Sequence, residues 1–190
     1  MKQEFNQQGI FDSISNKLED IDKEVAAEYL NWLDRKTSYF KKTITKASYG
    51  LQPDNIKRGD VIWVEFGINV GTELSDFNTK GHFAVVWAVD LGNIIVIPLS
   101  SRDSPGSMLT FDLGYIKDLN DKEEFTHSYL KLDAIRSISK RRIGRIAGKD
   151  GGKIVLPKKT INKIRHAIKN SFFVWQLYFH SILYLIVWPP

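Results

Sequence analysis

One stretch of the chain, GHFAVVWAVDLGNIIVIPLSS at residues 81–101, opens on a histidine, His82, and closes on a pair of serines, Ser100 and Ser101. An imidazole titrates near neutral pH and can take or give a proton. A serine hydroxyl can hydrogen-bond a phosphate or, beside a base, attack a carbonyl. The second option needs an orienting group for the histidine, an oxyanion hole and ordinarily an elbow of the GxSxG kind, and the sequence shows none of them. RNA cleavage asks less of the protein. The nucleophile is then the substrate's own 2′-hydroxyl; the protein has to remove that proton, protonate the leaving 5′-oxygen and stabilise added negative charge on phosphorus. Cations for that last task stand in IRSISKRR (135–142), as Arg136, Lys140, Arg141 and Arg142. Phe66, Phe77 and Phe83 can stack unpaired bases. The plainer readings are that strand-end serines bond local backbone and that SKRR is a solvated basic face.

Chemistry at His82 requires that the two ends of its stretch meet. HFAVVWAV alternates, with Phe83, Val85, Trp87 and Val89 on one face and His82, Ala84, Val86 and Ala88 on the other. DLGN supplies a turn, in which Gly92 is available for positive φ. If Asp90 pairs with Asn93, His82 lies opposite Ser101. If the loop is one residue longer, His82 lies diagonal to Ser100 on one face. Either register brings His82 within side-chain reach of the serines.

Other segments must support that hairpin. DVIWVEFG (60–67) is a strand by alternation and composition. INVGTELSDFNTKG (68–81) is a polar loop longer than a connection requires, and so a functional suspect. A loop follows at 101–107, a strand at 109–113, and one or two more strands within 127–139. Short strands at close spacing predict a small, strongly bent barrel. GKDGGK (148–153) lacks the phosphate-loop spacing and has Ile154 where Ser or Thr belongs, so it is a turn. A helix is expected just after Pro157, with Thr160 as a cap candidate. Residues 11–48 contain neither Gly nor Pro, and Phe11, Ile14, Leu18, Ile21 and Val25 form a helical stripe. One or two helices are expected there, capped by Asp12 or Ser13, and packed on the main domain or serving a partner.

Bulk properties set limits. At 190 residues there is room for one core with an appended element. The chain has no cysteine, and its four histidines lack ligand spacing, so neither a metal nor a cofactor is expected. A net charge of +5 and a pI near 9.3 favour an anionic partner. The N-terminus has no apolar core of a signal peptide. FFVWQLYFHSILYLIVW (172–188) is at the short limit of a membrane span. Ile161, Ile164, Ile168, Phe172 and Trp175 run into it as one helical stripe, which favours a docked helix over an anchor.

Five blocks occur in order: KRGDVIWVEFG (57–67), VGTE (70–73), GHFAVVW (81–87), VIPLSS (96–101) and AIRSISKRRIGRI (134–146). Together they resemble the MazF/PemK family of type II toxin–antitoxin toxins. The resemblance implies an α+β fold, a small SH3-like barrel of the MazF/CcdB kind with a C-terminal helix, here carrying an N-terminal helical extension. The expected division is 1–50 for the extension, 55–178 for the barrel domain and 179–190 for the apolar tail. It further implies a cytoplasmic homodimer that cleaves single-stranded RNA without metal and is neutralised by an antitoxin protein in the RNA groove. The family's Arg before a Pro-Ala-Val-Val strand maps to His82, its Thr at the end of the next strand to Ser100, and its Pro to Phe83. Expected catalytic residues are therefore His82 and Ser100; expected RNA-binding residues are Ser101, Arg136, Lys140, Arg141, Glu73 and Phe83. Glu73 either touches RNA or shapes its loop. The rival readings are a non-catalytic toxin of the same fold that binds a topoisomerase or nucleic acid, and a membrane-anchored RNA-binding module held by 172–188.

Overall fold

The computed structural model describes residues 6–77, 81–119 and 126–187, with side chains described as far as Phe172. The chain divides into two compact units, Met1–Ser48 and Tyr49–Pro190.

The first unit holds α1 (Gln7–Leu18) and α2 (Lys23–Ile44). The caps are Asn6 and Asp22 instead of Asp12 or Ser13. Asn6 Oδ1 accepts the Gly9 N–H at 2.9 Å, so the helix starts about one turn before the apolar stripe begins at Phe11. Asp12 lies inside α1 and accepts from Gln8 Nε2 at 2.8 Å. Asp22 accepts from the Glu24 and Val25 amides, which begins a second helix within what reads as one continuous stripe.

The second unit is an antiparallel sheet with a helix. Its strands are β1 (Asp60–Val64), β2 (His82–Val89), β3 (Asn93–Ser100), β4 (Thr110–Tyr115), β5 (His127–Lys131), β6 (Arg136–Ser139), β7 (Ile143–Gly144) and β8 (Ile154–Val155), followed by α3 (Lys158–Val187). Their order is β4-β5-β3-β2-β1-β7, with β6 also on β3 and β8 also on β1. This is the expected α+β, barrel-like architecture. Its central strands are buried on both faces. Val61, Val85, Ile97 and Leu130 share one core with Ile164 and Ala167 of α3. Ile62, Val64, Phe66, Ala84, Val86 and Ile138 form another. A strand with a core on each side has no polar face, which is why VIWV and FAVVWA read as nearly continuous apolar runs.

Two details of the hairpin differ from expectation. Near the turn, where the Asp90 N–H bonds to the Asn93 carbonyl, the register is the tight one, pairing Val89 with Ile94. A bulge between Val86 and Ala88 then adds Trp87 to β2, and beyond it Val85 pairs with Ile97 and Ala84 with Pro98. Bulges accompany sharp local twist, which a small bent sheet demands. Gly92, meanwhile, does not take a positive φ. The turn's carbonyls are satisfied from outside it: the Lys140 N–H bonds to Gly92, and Lys140 Nζ reaches the carbonyls of Asp90 and Leu91.

The KRGD segment secures the sheet. The Arg58 guanidinium lies 3.7 Å from the Trp87 ring centroid. Gly59, at φ +88°, donates to Val86, accepts from Leu156, and sits where a side chain would strike Ile161. Asp60 is buried, and one carboxylate oxygen accepts from the Lys57 amide at 2.7 Å and Lys153 Nζ at 2.6 Å. Lys153 ends GKDGGK, which is a turn with Gly148, Gly151 and Gly152 all at positive φ. At the start of α3 the Pro157 carbonyl receives the Thr160 and Ile161 amides, so Thr160 lies in the first helical turn and does not cap it. Among the described residues no helix is long and apolar enough to cross a membrane. The side chains of 173–187, and residues 188–190 altogether, lie outside the described part, and with them nearly all of the apolar run and tail.

Lys153→Ala leaves the buried Asp60 carboxylate without its counter-charge. Urea unfolding is expected to show a loss of about 3 kcal/mol. A change below about 0.5 kcal/mol, the range of ordinary surface substitutions, would mean the pair does not hold β1 to the turn.

Candidate functional site

Antiparallel pairing gathers several strand ends at one end of the sheet. β1 ends where β2 begins, β3 ends there too, and β5 begins beside the end of β3. Carried past Ala84↔Pro98, the β2–β3 register sets His82 level with Ser100; Ser100 in turn pairs with Tyr129. A cavity of about 530 Å³ lies at this end. That lies within the ~300–1,000 Å³ of small-ligand sites. His82, Phe83, Ser100 and Ser101 line it, as do Phe77, Trp63, Arg102 and His127.

His82 is fixed by a carboxylate that sequence reading did not single out. Its Nδ1 lies 2.6 Å from Oδ1 of Asp76; the His82 side chain is 23% exposed and that of Asp76 4%. An ionised carboxylate only accepts, so His82 carries its proton on Nδ1, and in the neutral ring Nε2 is left with its lone pair. Asp76 Oδ2 accepts the Gly67 N–H at 2.6 Å, and the Asp76 N–H bonds back to the Gly67 carbonyl at 3.0 Å. The loop after β1 is thus folded back on its own start and delivers Asp76 to the first residue of β2. Gly81, just before His82, has φ +149°, and a Cβ there would come within 2.6 Å of the Val64 carbonyl oxygen. Only glycine lets the chain enter β2 this close to β1. Phe66 packs edge-on against the His82 ring, with centroids 6.2 Å apart.

The remaining predicted residues divide into two groups. Ser100 is at the site, with its hydroxyl in a local turn: it accepts the Arg102 N–H at 2.9 Å and donates to the Arg102 carbonyl at 3.1 Å. Phe83 meets Trp63 edge-to-face at 5.0 Å, and Phe77 is 42% exposed at the cavity. Phe66, by contrast, is 1% exposed and cannot stack a base, because it belongs to the core under His82. Arg136 lies over Phe66, its guanidinium carbon 5.4 Å from the ring centroid, and does not line the cavity. Lys140 sits at the opposite end of the hairpin, on the Asp90–Asn93 turn. Arg141 stacks on Tyr49 at 4.7 Å. Arg142 bonds the Glu65 and Phe66 carbonyls and so holds the end of β1. Glu73 is exposed in a turn whose amide bonds to the Val70 carbonyl. Among the described residues, the Lys or Arg that lines the cavity is Arg102, in a segment that reads only as a loop.

A second histidine at the cavity also carries a carboxylate. His127 Nδ1 lies 2.7 Å from Asp112 Oδ2, with both side chains about half exposed. Burial pushes the Asp112 carboxyl up, but the Gly114 amide, the His127 hydrogen bond and nearby positive charge outweigh it and hold the group below the usual carboxylate range. The Tyr129 phenol is pushed up by desolvation and by Asp103 and Asp112.

The family model for the PemK-like, MazF-like toxin of type II toxin-antitoxin system matches residues 57–172, more than half of the chain. No curated protein matches it.

A carboxyl whose folded value is depressed adds stability above its unfolded value, near pH ~3.9, and loses it as pH falls through the lower folded value. Carbon-detected NMR titration is expected to find the Asp112 midpoint below that ordinary value. In His127→Gln the midpoint should move upward, because the positive charge of the imidazolium is gone. An unchanged midpoint would show that His127 does not hold the carboxylate.

Proposed function

Because the chain belongs to the PemK-like, MazF-like toxin family of type II toxin–antitoxin systems, we propose that it is an endoribonuclease that cuts single-stranded RNA through the substrate's own 2′-hydroxyl, a route that asks for no metal. The observation that carries this reading is the His82–Asp76 pair at the cavity.

His82 Nε2 accepts the 2′-hydroxyl proton as that oxygen attacks the adjacent phosphorus. Asp76 keeps the ring in the tautomer that exposes Nε2 and stabilises the imidazolium as it forms. Its own desolvated carboxylate is satisfied by the Gly67 amide, so the ring is held at no expense of an unpaired buried charge. Arg102 and the hydroxyls of Ser100 and Ser101 meet the phosphate oxygens, with Ser100 exchanging its local turn bonds for the substrate. Phe77, Phe83 and Trp63 offer stacking faces to unpaired bases. The net charge of +5 favours association with the polyanion. Arg136, Lys140, Arg141 and Glu73 lie outside the cavity and serve, in this reading, an RNA path beyond the cut bond. The partner is a cognate antitoxin that covers the cavity, and the working form is a cytoplasmic homodimer of the barrel domain, 55–178.

Purified protein incubated with mixed-sequence single-stranded RNA in EDTA is expected to leave 2′,3′-cyclic phosphate ends. His82→Ala should lower the rate by about 10²–10⁴-fold. Asp76→Asn should cost a comparable factor, because an amide can present the wrong partner to Nδ1 and release the tautomer. The proposal is lost if the wild type cuts nothing across many sequences, or if both variants cut at its rate. Gyrase inhibition in place of RNA cleavage would point to the topoisomerase-binding alternative.

A further inference from the structure

We propose that His127 is the second proton-transfer group of the site, the acid that protonates the leaving 5′-oxygen, and that the cavity is therefore a two-histidine RNA-cleaving site. The inference rests on the RNA-cleavage reading above and completes its proton balance, since a base alone leaves the departing oxygen unprotonated.

The two histidines are built alike. Each donates Nδ1–H to an aspartate: His82 to Asp76 at 2.6 Å and His127 to Asp112 at 2.7 Å. In each pair the other carboxylate oxygen accepts the backbone N–H of a glycine, Gly67 at 2.6 Å and Gly114 at 2.7 Å. Both glycines stand at positive φ, +73° and +82°, where the chain turns its amide toward the carboxylate. Each aspartate is thus held at both oxygens, and among the described residues neither ring's Nε2 has a hydrogen-bond partner. Both rings line the one cavity of about 530 Å³.

β4 is distorted to allow this. Its register with β5 shifts between Asp112 and Tyr115, so Asp112 pairs with Tyr129 while its carboxylate reaches His127, the partner of Tyr115. Gly114 lies inside that irregularity. An undistorted strand would keep a regular ladder and forgo the anchored carboxylate. Among the described residues, the groups that face His127 are Asp112, the Tyr129 ring at 6.3 Å and, through Asp112, the charge of Lys163.

The step balances with nothing further. The 2′-oxygen forms its bond to phosphorus and its proton passes to neutral His82 Nε2. The phosphorus–5′-oxygen bond breaks, and the leaving oxygen takes the proton of His127 Nε2–H. The products are a 2′,3′-cyclic phosphate and a free 5′-hydroxyl. Solvent then returns a proton to His127 and removes one from His82.

Substitution of sulfur for the leaving 5′-oxygen separates the two roles, because a thiolate departs without being protonated. Once the cut bond is located in mixed RNA, a short RNA with 5′-sulfur at that bond is compared with its ordinary counterpart. His127→Ala is expected to slow cleavage of the ordinary RNA by about 10²–10⁴-fold and to cut the 5′-sulfur RNA at nearly the wild-type rate. His82→Ala should be slow on both. His127→Gln, checked for wild-type thermal unfolding, serves if the alanine variant does not fold. Wild-type rates in the His127 variants alongside a slow His82→Ala would overturn the inference and leave the RNA-cleavage reading standing. Equal slowing of both substrates, or rescue of His82→Ala instead, would overturn the role given to His127. A wild type inert on both RNAs defeats the RNA-cleavage reading and the inference with it.

Discussion

A carboxylate taken out of water has to be met by donors, and the arrangement of this sheet end follows from how Asp76 is met. Its two oxygens take the Gly67 amide and the His82 imidazole, and its own amide returns to the Gly67 carbonyl. Three bonds around one residue tie together the loop after β1, the entry into β2 and the orientation of the His82 ring. The described part of the loop cannot move away from Gly67 without leaving a nearly fully buried carboxylate unpaired.

The rest of the sheet places that pair where a substrate can reach it. A double-faced core makes β1, β2 and β3 stiff, and their antiparallel order returns the chain to the same end each time. The opposite end is closed by Lys140 on the turn carbonyls. Basic residues that are neighbours in sequence therefore do different jobs. Lys140 and Arg142 hold backbone at opposite ends of the hairpin, while Arg136 lies over the phenyl ring beneath His82.

On the resemblance read from the sequence, His82 stands where an arginine is expected, and the two side chains make different demands. Guanidinium is charged at every relevant pH and needs no tautomer. Imidazole needs one ring nitrogen assigned, and Asp76 assigns it. Among the described residues, the permanently charged cation lining the cavity is Arg102, on the loop that leaves β3.

Much of this was legible in the residues. Alternation gave β2 and β3, the Asp90–Asn93 turn brought His82 to the serines, and five ordered blocks gave the family. Local chemistry is enough for these, because side-chain period and turn residues act over a few positions. The bulge at Trp87, the burial of Phe66 and the scattering of Arg136, Lys140 and Arg141 were not legible, since each depends on which strands become neighbours. The same holds for Asp76, Asp112 and His127. Nothing in the spacing of His82 and His127, forty-five residues apart, links them. The sequence by itself determined which side chains can carry protons and which strands carry them; only the tertiary structure decided which carboxylate each histidine would meet, because that depends on hydrogen bonds between segments whose separation along the chain bears no relation to their distance in space.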